Sequence, residues 1–252
     1  MHQVLFKQPD ALGYGPAVFL KGKTVPTPNC RAVVPPCNAM CVGLHPQERS
    51  ACVWRKVLAG QNLYQQGEAV RFIFAVRSGS FKSTLTLSEG SARICAFPMA
   101  GDLIALDAVG RSTYTTTMTA LDDAHVCAIA GVPRLQATGQ DPDIQTRLGR
   151  LMSDEMLRTQ KVLVLMGKST AQERLGVFLM DLSRRHRARG FSGRDFTLPM
   201  TRADIGSFVG LALETVSRSL AGMQAQGIID IAKRRVQIPD LETFSKRYGA
   251  WL

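Results

Sequence analysis

The sequence predicts an α+β protein in which an all-β domain is followed by one long helix and a winged helix-turn-helix. Three patterns predict this order: short β-branched and aromatic runs over 53–130, a long amphipathic run from Asp141, and two short helical runs about Gly210. We expect four segments: a cysteine-containing extension over 1–43, the β domain over 44–140, the long helix over 141–168 and the winged helix-turn-helix over 169–252.

The composition is typical of a globular protein with an anionic partner. The chain has 252 residues, 45% of them hydrophobic, and a net charge of +11, which allows a substantial core and favours an anionic partner. No apolar run approaches the roughly 18–20 residues of a membrane span, and the amino terminus lacks the pattern of a signal peptide. We therefore expect a cytoplasmic protein with no membrane partner, in a compartment where structural disulfides are rare.

Glycines separate the predicted strands at intervals of about 9–12 residues, which is typical of a sandwich or barrel. They are Gly67, Gly79, Gly90, Gly101 and Gly110. The last strand, AHVCAIA, carries Cys127. A lone cysteine in such a region is usually a packing residue, and we interpret Cys52 and Cys95 in this way.

The cysteines need an explanation other than disulfides. Cys30, Cys37 and Cys41 fall within twelve residues, in a stretch that two adjacent prolines keep from forming a continuous helix. Burial as small apolar residues is one explanation, but a loop offers little core. Thiolates ligate zinc and iron–sulfur clusters, so these residues are candidate metal ligands that Cys127 would complete to four.

The long helix carries a seam like that of a coiled coil. It begins at Asp141-Pro142, where aspartate can cap and proline suits the first helical position. The seam steps by 4, 4, 3, 4 and 3 residues through Leu148, Met152, Met156, Thr159, Leu163 and Met166. The helix could merely lie on the β domain. Because it precedes a helix-turn-helix, and two-fold proteins read palindromic half-sites, we interpret it as a dimer helix.

A basic region begins in the next helix. Thr170 and Glu173 form a capping box that begins this helix, and Gly190 ends it. Its carboxyl end, where the helix dipole favours cations, holds Arg184, Arg185, Arg187 and Arg189. From Arg184 onward the chain has twelve Lys/Arg and six Asp/Glu, a balance that suits a phosphate backbone.

Two short helices about Gly210 predict a helix-turn-helix. Thr201 and Asp204 begin the first helix as a T-x-x-D box, and the second buries the stripe of Leu213, Val216, Leu220 and Met223. Off this stripe lie Glu214, Ser217 and Arg218. In a major groove an arginine can bind guanine O6 and N7, and a glutamate can accept from cytosine N4. The alternative is a packed helix pair with a solvated charged face.

A basic hairpin follows. Ile229 and Ile231 alternate before three cations, and Val236 and Ile238 alternate after them. We expect a wing whose tip contacts phosphate. The full set of predicted DNA-binding residues is Thr201, Arg202, Glu214, Thr215, Ser217, Arg218, Lys233, Arg234 and Arg235.

In its order of elements and its motifs the chain resembles the CRP/FNR family of bacterial transcription regulators, and within it the FNR branch. The similarity runs from about Leu44 to Tyr248, and MTRADIG and ETVSR are its most specific segments. The resemblance implies a β-roll (jelly-roll) sensor domain of the cyclic-nucleotide-binding kind, a homodimer, and RNA polymerase as a partner. It also implies that Glu214, Ser217 and Arg218 read double-stranded DNA at an inverted repeat similar to TTGAT-N4-ATCAA.

The FNR branch senses oxygen with a [4Fe-4S] cluster, and the resemblance implies Cys30, Cys37, Cys41 and Cys127 as its ligands. The usual amino-terminal spacing is near C-x2-C-x5-C, whereas here it is C-x6-C-x3-C, a difference that a loop can absorb. Zinc, a thiol/disulfide switch, nitric oxide, haem or no effector stay open as alternatives. Cys52 could replace Cys30, although the corresponding family segment is already helical there.

Two positions depart from the family. Cyclic-nucleotide-binding members hold a Gly-Glu pair for the ribose where this chain has DLIAL over 102–106, and Arg111-Ser112 only faintly resembles their phosphate-binding pair. We therefore expect no cAMP binding. Oxygen-switched FNR proteins tend to place an aspartate at the position of Thr159, where like charges oppose dimerisation. Because Thr159 is uncharged, we expect a dimer that persists without cofactor.

An enzyme with cysteine nucleophiles is the alternative from another class. The chain has four histidines, none in a recognisable Cys–His motif, and it has no Gly-rich phosphate loop or HExxH. We therefore expect a regulator of transcription, responsive to oxygen or redox state, and not an enzyme.

Overall fold

Two antiparallel sheets of four strands each form the β domain. The computed structural model describes residues 52–130, 142–168 and 170–249. In the first sheet the strand order is β1-β8-β3-β6, and in the second it is β2-β7-β4-β5. The strands are β1 (Cys52–Val57), β2 (Asn62–Tyr64), β3 (Phe72–Ser78), β4 (Phe81–Thr86), β5 (Ala92–Ala96), β6 (Leu103–Ile104), β7 (Thr117–Ala120) and β8 (Ala124–Ala130). The predicted α+β class and β-roll are confirmed.

Aromatic and aliphatic side chains from both sheets share one core. Ile73 and Val126 of the first sheet and Phe81 of the second are fully buried in it. The rings of Tyr64 and Tyr114 stack at 3.9 Å between centroids, so this part of the interior is filled by side chains. The five glycines predicted to separate the strands all have positive φ, as tight turns require.

Two helices connect the β domain to the carboxyl-terminal domain. Helix α1 spans Pro142–Lys168, within the range 141–168 predicted for the long helix. Helix α2 spans Ala171–Ala188 and begins with the predicted capping box of Thr170 and Glu173. None of the described helices is long and apolar enough to cross a membrane.

The carboxyl-terminal domain packs α2, three further helices and a three-stranded sheet around a second core. After β9 (Asp195–Thr197) come α3 (Arg202–Val209), α4 (Leu213–Ala225), β10 (Asp230–Ala232), β11 (Arg235–Gln237) and α5 (Leu241–Tyr248). The sheet order is β10-β11-β9. Tyr248 of α5 packs so tightly on α2 that a Cβ on Gly176 would lie 2.3 Å from its ring, and the glycine permits this approach.

A buried ion cluster joins the two domains. Asp102, in the loop before β6, accepts hydrogen bonds from Arg185 of α2 and from Arg189, which directly follows α2, and all three side chains are about nine-tenths buried. Arg185 also donates to the carbonyl oxygen of Phe97 at 2.9 Å. These two arginines, predicted only to interact with the helix dipole, therefore bind α2 to the β domain.

A second set of contacts joins the β domain to α3. The Nζ atom of Lys82 on β4 lies 2.7 Å from Oδ1 of Asp204. The backbone N–H of Ile94 on β5 donates to Ser207 Oγ at 3.1 Å. Beside them the rings of Phe97, Phe178 and Phe208 pack together at 5.2–6.0 Å between centroids. The sensor domain thus contacts the first helix of the helix-turn-helix directly.

Two interpretations of cysteines need correction. Cys95 on β5 is exposed and is not the packing residue that we expected. Cys52 begins β1, where its backbone pairs with Ile129, so the chain is extended there and not helical as the resemblance implied. Single apolar runs do not reveal which face of a strand is covered.

Replacement of Asp102 by asparagine should destabilise the protein strongly, because it leaves two buried guanidinium groups without their counter-charge. We expect a loss of about 3–5 kcal/mol in the free energy of unfolding, measured by urea denaturation at pH 7. Asp123→Asn is the matched control, since the Lys56–Asp123 pair is more than half exposed and should contribute little. Equal effects of the two substitutions would contradict a stabilising ion cluster.

The pH dependence of this difference has a defined sign. Burial opposes the charge on Asp102, but Arg185 and Arg189 outweigh it and hold the pKa of its carboxyl below the ordinary value. A carboxyl whose pKa is depressed in the folded state stabilises the fold at pH values above its unfolded pKa of about 3.9. This stabilisation is lost as the pH falls through the pKa that the carboxyl has in the folded state. The stability gap between wild type and Asp102→Asn should therefore narrow in acid.

Candidate nucleic-acid interface

Helix α3 and the turn after it have the geometry that the sequence predicts. The hydroxyl of Thr201 accepts from the backbone N–H of Asp204, whose carboxylate accepts from the backbone N–H of Thr201 in return. Gly210 ends the helix with φ of 70°. A Cβ on Gly206 would lie 2.5 Å from the carbonyl oxygen of Leu211, so glycine is required for the turn to fold back onto the helix.

Helix α4 buries one face and exposes the other. Val216, Leu220 and Met223 are buried in the carboxyl-terminal core. Glu214, Ser217 and Arg218 are exposed and line one shallow depression on the surface, with Thr215 half-buried beside them. Within the described part of the chain no hydrogen bond or ion pair engages Glu214, Ser217 or Arg218. Their donors and acceptors are therefore available to a ligand.

Leu213 differs from the prediction. The spacing placed it in the buried stripe, but its side chain is 47% exposed and lines the same depression as Glu214 and Arg218. It occupies the first position of α4, where the chain has not yet reached the core. An apolar side chain beside groups that are predicted to read bases can contact a thymine methyl group. Its helical spacing alone could not reveal this exposure.

Arg202 lies in the first turn of α3 and is half-buried. Burial lowers the pKa of its guanidinium, and its Nη1 atom is buried with no hydrogen-bond partner among the described residues. A buried donor without an acceptor is costly. Arg202 places a cation at the amino terminus of α3, a position that favours anions.

The predicted wing forms, with a smaller basic tip. Strands β10 and β11 pair antiparallel around a two-residue turn of Lys233 and Arg234, both exposed. Lys233 has φ of 57°, which the tight turn requires. Arg235 lies in β11 and not at the tip, and its guanidinium forms a two-point contact with the carboxylate of Asp195. Two cations, and not three, are therefore presented at the tip.

The seam residues lie on the surface of α1 in the single chain. Met152, Met156, Leu163 and Met166 are exposed, and Leu163 is exposed by 64%. Thr159 is exposed and donates to the carbonyl oxygen of Glu155 at 3.0 Å. For Leu148 the structure describes the helical backbone but not the side chain.

Only one of the four predicted cluster ligands lies within the described residues. Cys127 is on β8, is 1% exposed, and pairs across the sheet with Trp54 and Ala75. Cys30, Cys37 and Cys41 lie outside the described residues. Among those described, no group of three His, Cys, Asp or Glu side chains could hold a metal.

The predicted DNA-binding residues lie on three elements of the carboxyl-terminal domain: the start of α3, the start of α4 and the wing. The side chains predicted to read base edges lie on α4, and the cations predicted to contact phosphate lie on α3 and the wing. This is the division of contacts that sequence-specific DNA binding requires. The sequence did not reveal the ion pairs of Lys82 with Asp204 and of Asp102 with two arginines, since both depend on tertiary contacts.

Comparison with known protein families supports the assignment of both domains. Residues 54–133 match the family model of the cyclic nucleotide-binding domain, and residues 173–247 match that of the Crp-like helix-turn-helix domain. The fumarate and nitrate reduction regulatory protein of Escherichia coli (strain K12) is 35% identical over 195 residues, which cover 77% of this chain and 78% of that protein. The anaerobic regulatory protein of Haemophilus influenzae is 37% identical over 187 residues, covering 74% and 73%.

A solved structure shares the fold. FixK2 from Bradyrhizobium japonicum superimposes with a TM-score of 0.70 at 27% sequence identity. The match covers 78% of this chain and 96% of that chain, so it spans both the β domain and the helix-turn-helix.

Replacement of Arg218 by alanine should weaken sequence-specific binding. Each bidentate contact to guanine contributes about 1–3 kcal/mol and a dimer loses two of them, so the dissociation constant for a TTGAT-N4-ATCAA duplex should rise about 30-fold or more. The matched variant is Arg234→Ala, which removes a cation from the wing. It should weaken binding to this duplex and to a scrambled duplex by a similar factor. Unchanged binding by Arg218→Ala, measured by fluorescence anisotropy, would contradict the assigned helix.

Proposed function

The chain belongs to the CRP/FNR family of transcription regulators, and on this premise we propose that it is a homodimer that reads an FNR-like palindrome under the control of oxygen or redox state. The relatives that it matches are regulators of transcription and not enzymes, and the chain is a DNA-binding regulator of this type. The palindrome, the dimer contacts and the effector are the parts that we propose.

The proposal for DNA recognition rests on the exposure of Glu214, Ser217 and Arg218 and on their lack of partners. These side chains are exposed at the start of α4 and have no partner within the described residues. Charged groups of a merely structural helix usually pair with neighbours or point separately into water. Here they share one depression at the start of α4, which supports a surface built for base edges.

The exposed seam of α1 supports a homodimer. Met156 and Leu163 are each 64% exposed in the single chain, and apolar side chains repeated on one helix face favour a partner helix. A symmetric dimer would present two copies of α4, as the two arms of a palindrome require.

We propose a [4Fe-4S] cluster held by Cys30, Cys37, Cys41 and Cys127 as the sensor. Cys127 suits this role in its chemistry, since it is a thiol on a rigid strand and shielded from water. A bound cluster would supply reactivity toward oxygen. The chain's own contribution is to hold Cys127 in the sheet next to β3, which leads through β6 to the Asp102 ion cluster and α2.

Cys52 stays an alternative to Cys30. The helical conformation that argued against it is wrong, and its backbone lies two positions from Trp54, which pairs directly with Cys127. Other effectors, namely nitric oxide, haem, zinc, thiol redox or none, would use the same DNA-binding half of the molecule.

We expect no cAMP binding at the segment 102–106. Asp102, its acidic residue, is engaged by two arginines, and the remaining residues of the segment are apolar. The next acid, Asp107, accepts a hydrogen bond from Thr115. The carboxylate of Asp102 is therefore not free to bind a ribose hydroxyl. We also propose that the protein acts in the cytoplasm and contacts RNA polymerase at promoters.

The dimer should persist without cofactor. Because Thr159 carries no charge, aerobic cluster-free protein at micromolar concentration should sediment as a dimer in analytical ultracentrifugation. Thr159→Asp should raise the dimer dissociation constant about tenfold or more, since two like charges then face each other across the seam. Ser153→Asp adds the same charge to α1 outside the seam and should have little effect. A wild-type monomer under these conditions would contradict the proposed seam.

Protein purified without oxygen should contain about four irons per chain, with a broad visible absorption that bleaches in air. Cys127→Ser should lose the iron and sulfide, whereas Cys95→Ser, the matched control on an exposed strand, should keep them. Cys30→Ser and Cys52→Ser distinguish the two candidates for the fourth ligand. Iron-free protein with a haem-type spectrum, or with none, would contradict the cluster but not DNA binding.

A further inference from the structure

Helix α3 is held at its amino end by a cation of the β domain. Lys82 lies on β4, and its Nζ atom is 2.7 Å from Oδ1 of Asp204. The other carboxylate oxygen, Oδ2, accepts hydrogen bonds from the backbone N–H of Thr201 at 2.9 Å and from its hydroxyl at 2.7 Å. One carboxylate therefore caps α3 and binds this helix to the β domain at the same time.

This ion pair is largely removed from water. The side chain of Asp204 is 12% exposed and that of Lys82 is 29% exposed. Burial opposes the charge on Asp204, but hydrogen bonds from Lys82 and Thr201 outweigh it and hold the pKa of the carboxyl below its ordinary value. Because the pair is charged and shielded, salt screens it less than a surface pair, and loss of one partner leaves the other poorly compensated.

Two neighbouring contacts place one face of α3 against the second sheet. The backbone N–H of Ile94, on the last strand in the order of that sheet, donates to Ser207 Oγ at 3.1 Å. The ring of Phe208 packs against that of Phe97 at 5.2 Å between centroids. Asp204, Ser207 and Phe208 are spaced by i, i+3 and i+4, so they share one helix face. The β domain therefore supports α3 along more than one turn.

Helix α4 follows the direction of α3. The backbone N–H of Leu211 donates to the carbonyl oxygen of Gly206 at 2.9 Å, which folds the turn back onto α3. Val216 of α4 is buried, and one of its methyl carbons lies 3.5 Å from the point where a Cβ on Gly206 would stand. A rotation of α3 on the sheet would therefore carry the exposed face of α4 with it.

Lys82 supplies a second point of attachment between the two domains. The Asp102 ion cluster holds the carboxyl end of α2, and one such junction alone leaves the carboxyl-terminal domain free to rotate about it. The Lys82–Asp204 pair attaches this domain again, at the end of α3 that carries Thr201 and Arg202. Two separate points of attachment define a direction.

We propose that Lys82 is a positioning residue for DNA recognition, which holds α3 and with it α4 in one direction and so sets the spacing of half-sites that the protein accepts. Lys82 does not touch DNA in this role but acts through Asp204. The inference rests on the proposed homodimer and palindrome, and it names the residue of the β domain on which the spacing depends.

Lys82→Met tests this role, because it removes the charge and keeps most of the side-chain length. Binding is measured by fluorescence anisotropy to TTGAT-N4-ATCAA and to the same arms with one further base pair between them, which the wild type should bind less tightly. In Lys82→Met the dissociation constant for the first duplex should rise about fivefold or more, since fewer molecules hold α4 in the competent direction. The constant for the second duplex should change little, so the spacing preference should shrink. Lys82→Arg, which keeps the cation, should restore it.

Two controls separate positioning from other roles. Lys56→Met removes an exposed pair with Asp123 on the first sheet and should behave as the wild type throughout. Arg234→Ala removes a predicted phosphate contact and should lower the slope of log Kd against log salt concentration by about one for each chain. Lys82→Met should leave this slope unchanged. A slope as shallow as that of Arg234→Ala would mean that Lys82 binds phosphate directly, which overturns the proposal.

Hydrogen exchange without DNA separates a failure of this proposal from a failure of the proposed palindrome. The amides of Ile94 and Asp204 donate to side chains of α3 and its cap, and in Lys82→Met they should exchange about fivefold or more faster than in the wild type or Lys56→Met. Unchanged exchange means that Lys82 does not hold α3, which overturns the proposal whatever duplex the protein prefers. Faster exchange with an unchanged spacing preference also overturns it. A wild type that binds both spacings and a scrambled duplex alike overturns the palindrome itself, and the spacing role with it.

Discussion

The ion cluster of Asp102, Arg185 and Arg189 is the interaction on which the relation between the two domains depends. A buried charge cannot be left without its counter-charge except at a cost of several kcal/mol, so α2 is bound firmly to the loop before β6. The Lys82–Asp204 pair then ties α3 to the second sheet. With α2 and α3 fixed in this way, α4 is left on the surface with its polar face uncovered, as the proposed binding in a DNA groove requires.

Local chemistry allowed much of this arrangement to be predicted from the sequence. A capping box needs only its own four residues, and those that begin at Thr170 and Thr201 have the expected reciprocal hydrogen bonds. Glycine turns are equally local, because only glycine adopts a positive φ without strain, as at Gly210. The order of strands, long helix and helix-turn-helix follows from periodicity.

The parts that the sequence did not reveal depend on contacts between distant residues. Leu213 fits the apolar spacing of α4, but the core ends before it and the residue is exposed. Arg235 belongs to a basic triplet, yet Asp195 on β9 draws it away from the tip of the wing. Cys95 lies in an apolar run whose covering depends on how β5 meets the other domain. In each case tertiary packing decides which face is covered, and sequence spacing does not contain that information.

Two symmetric copies of α4 should reach base edges on one side of the same duplex, and the spacing between half-sites tests this most directly. Binding is measured for TTGAT-N4-ATCAA and for the same arms with five further base pairs between them, which turns one arm by about half a helical turn. We expect two chains on the first duplex and an affinity for the second no better than for a scrambled sequence. Equal affinity for both spacings would contradict a two-fold reader.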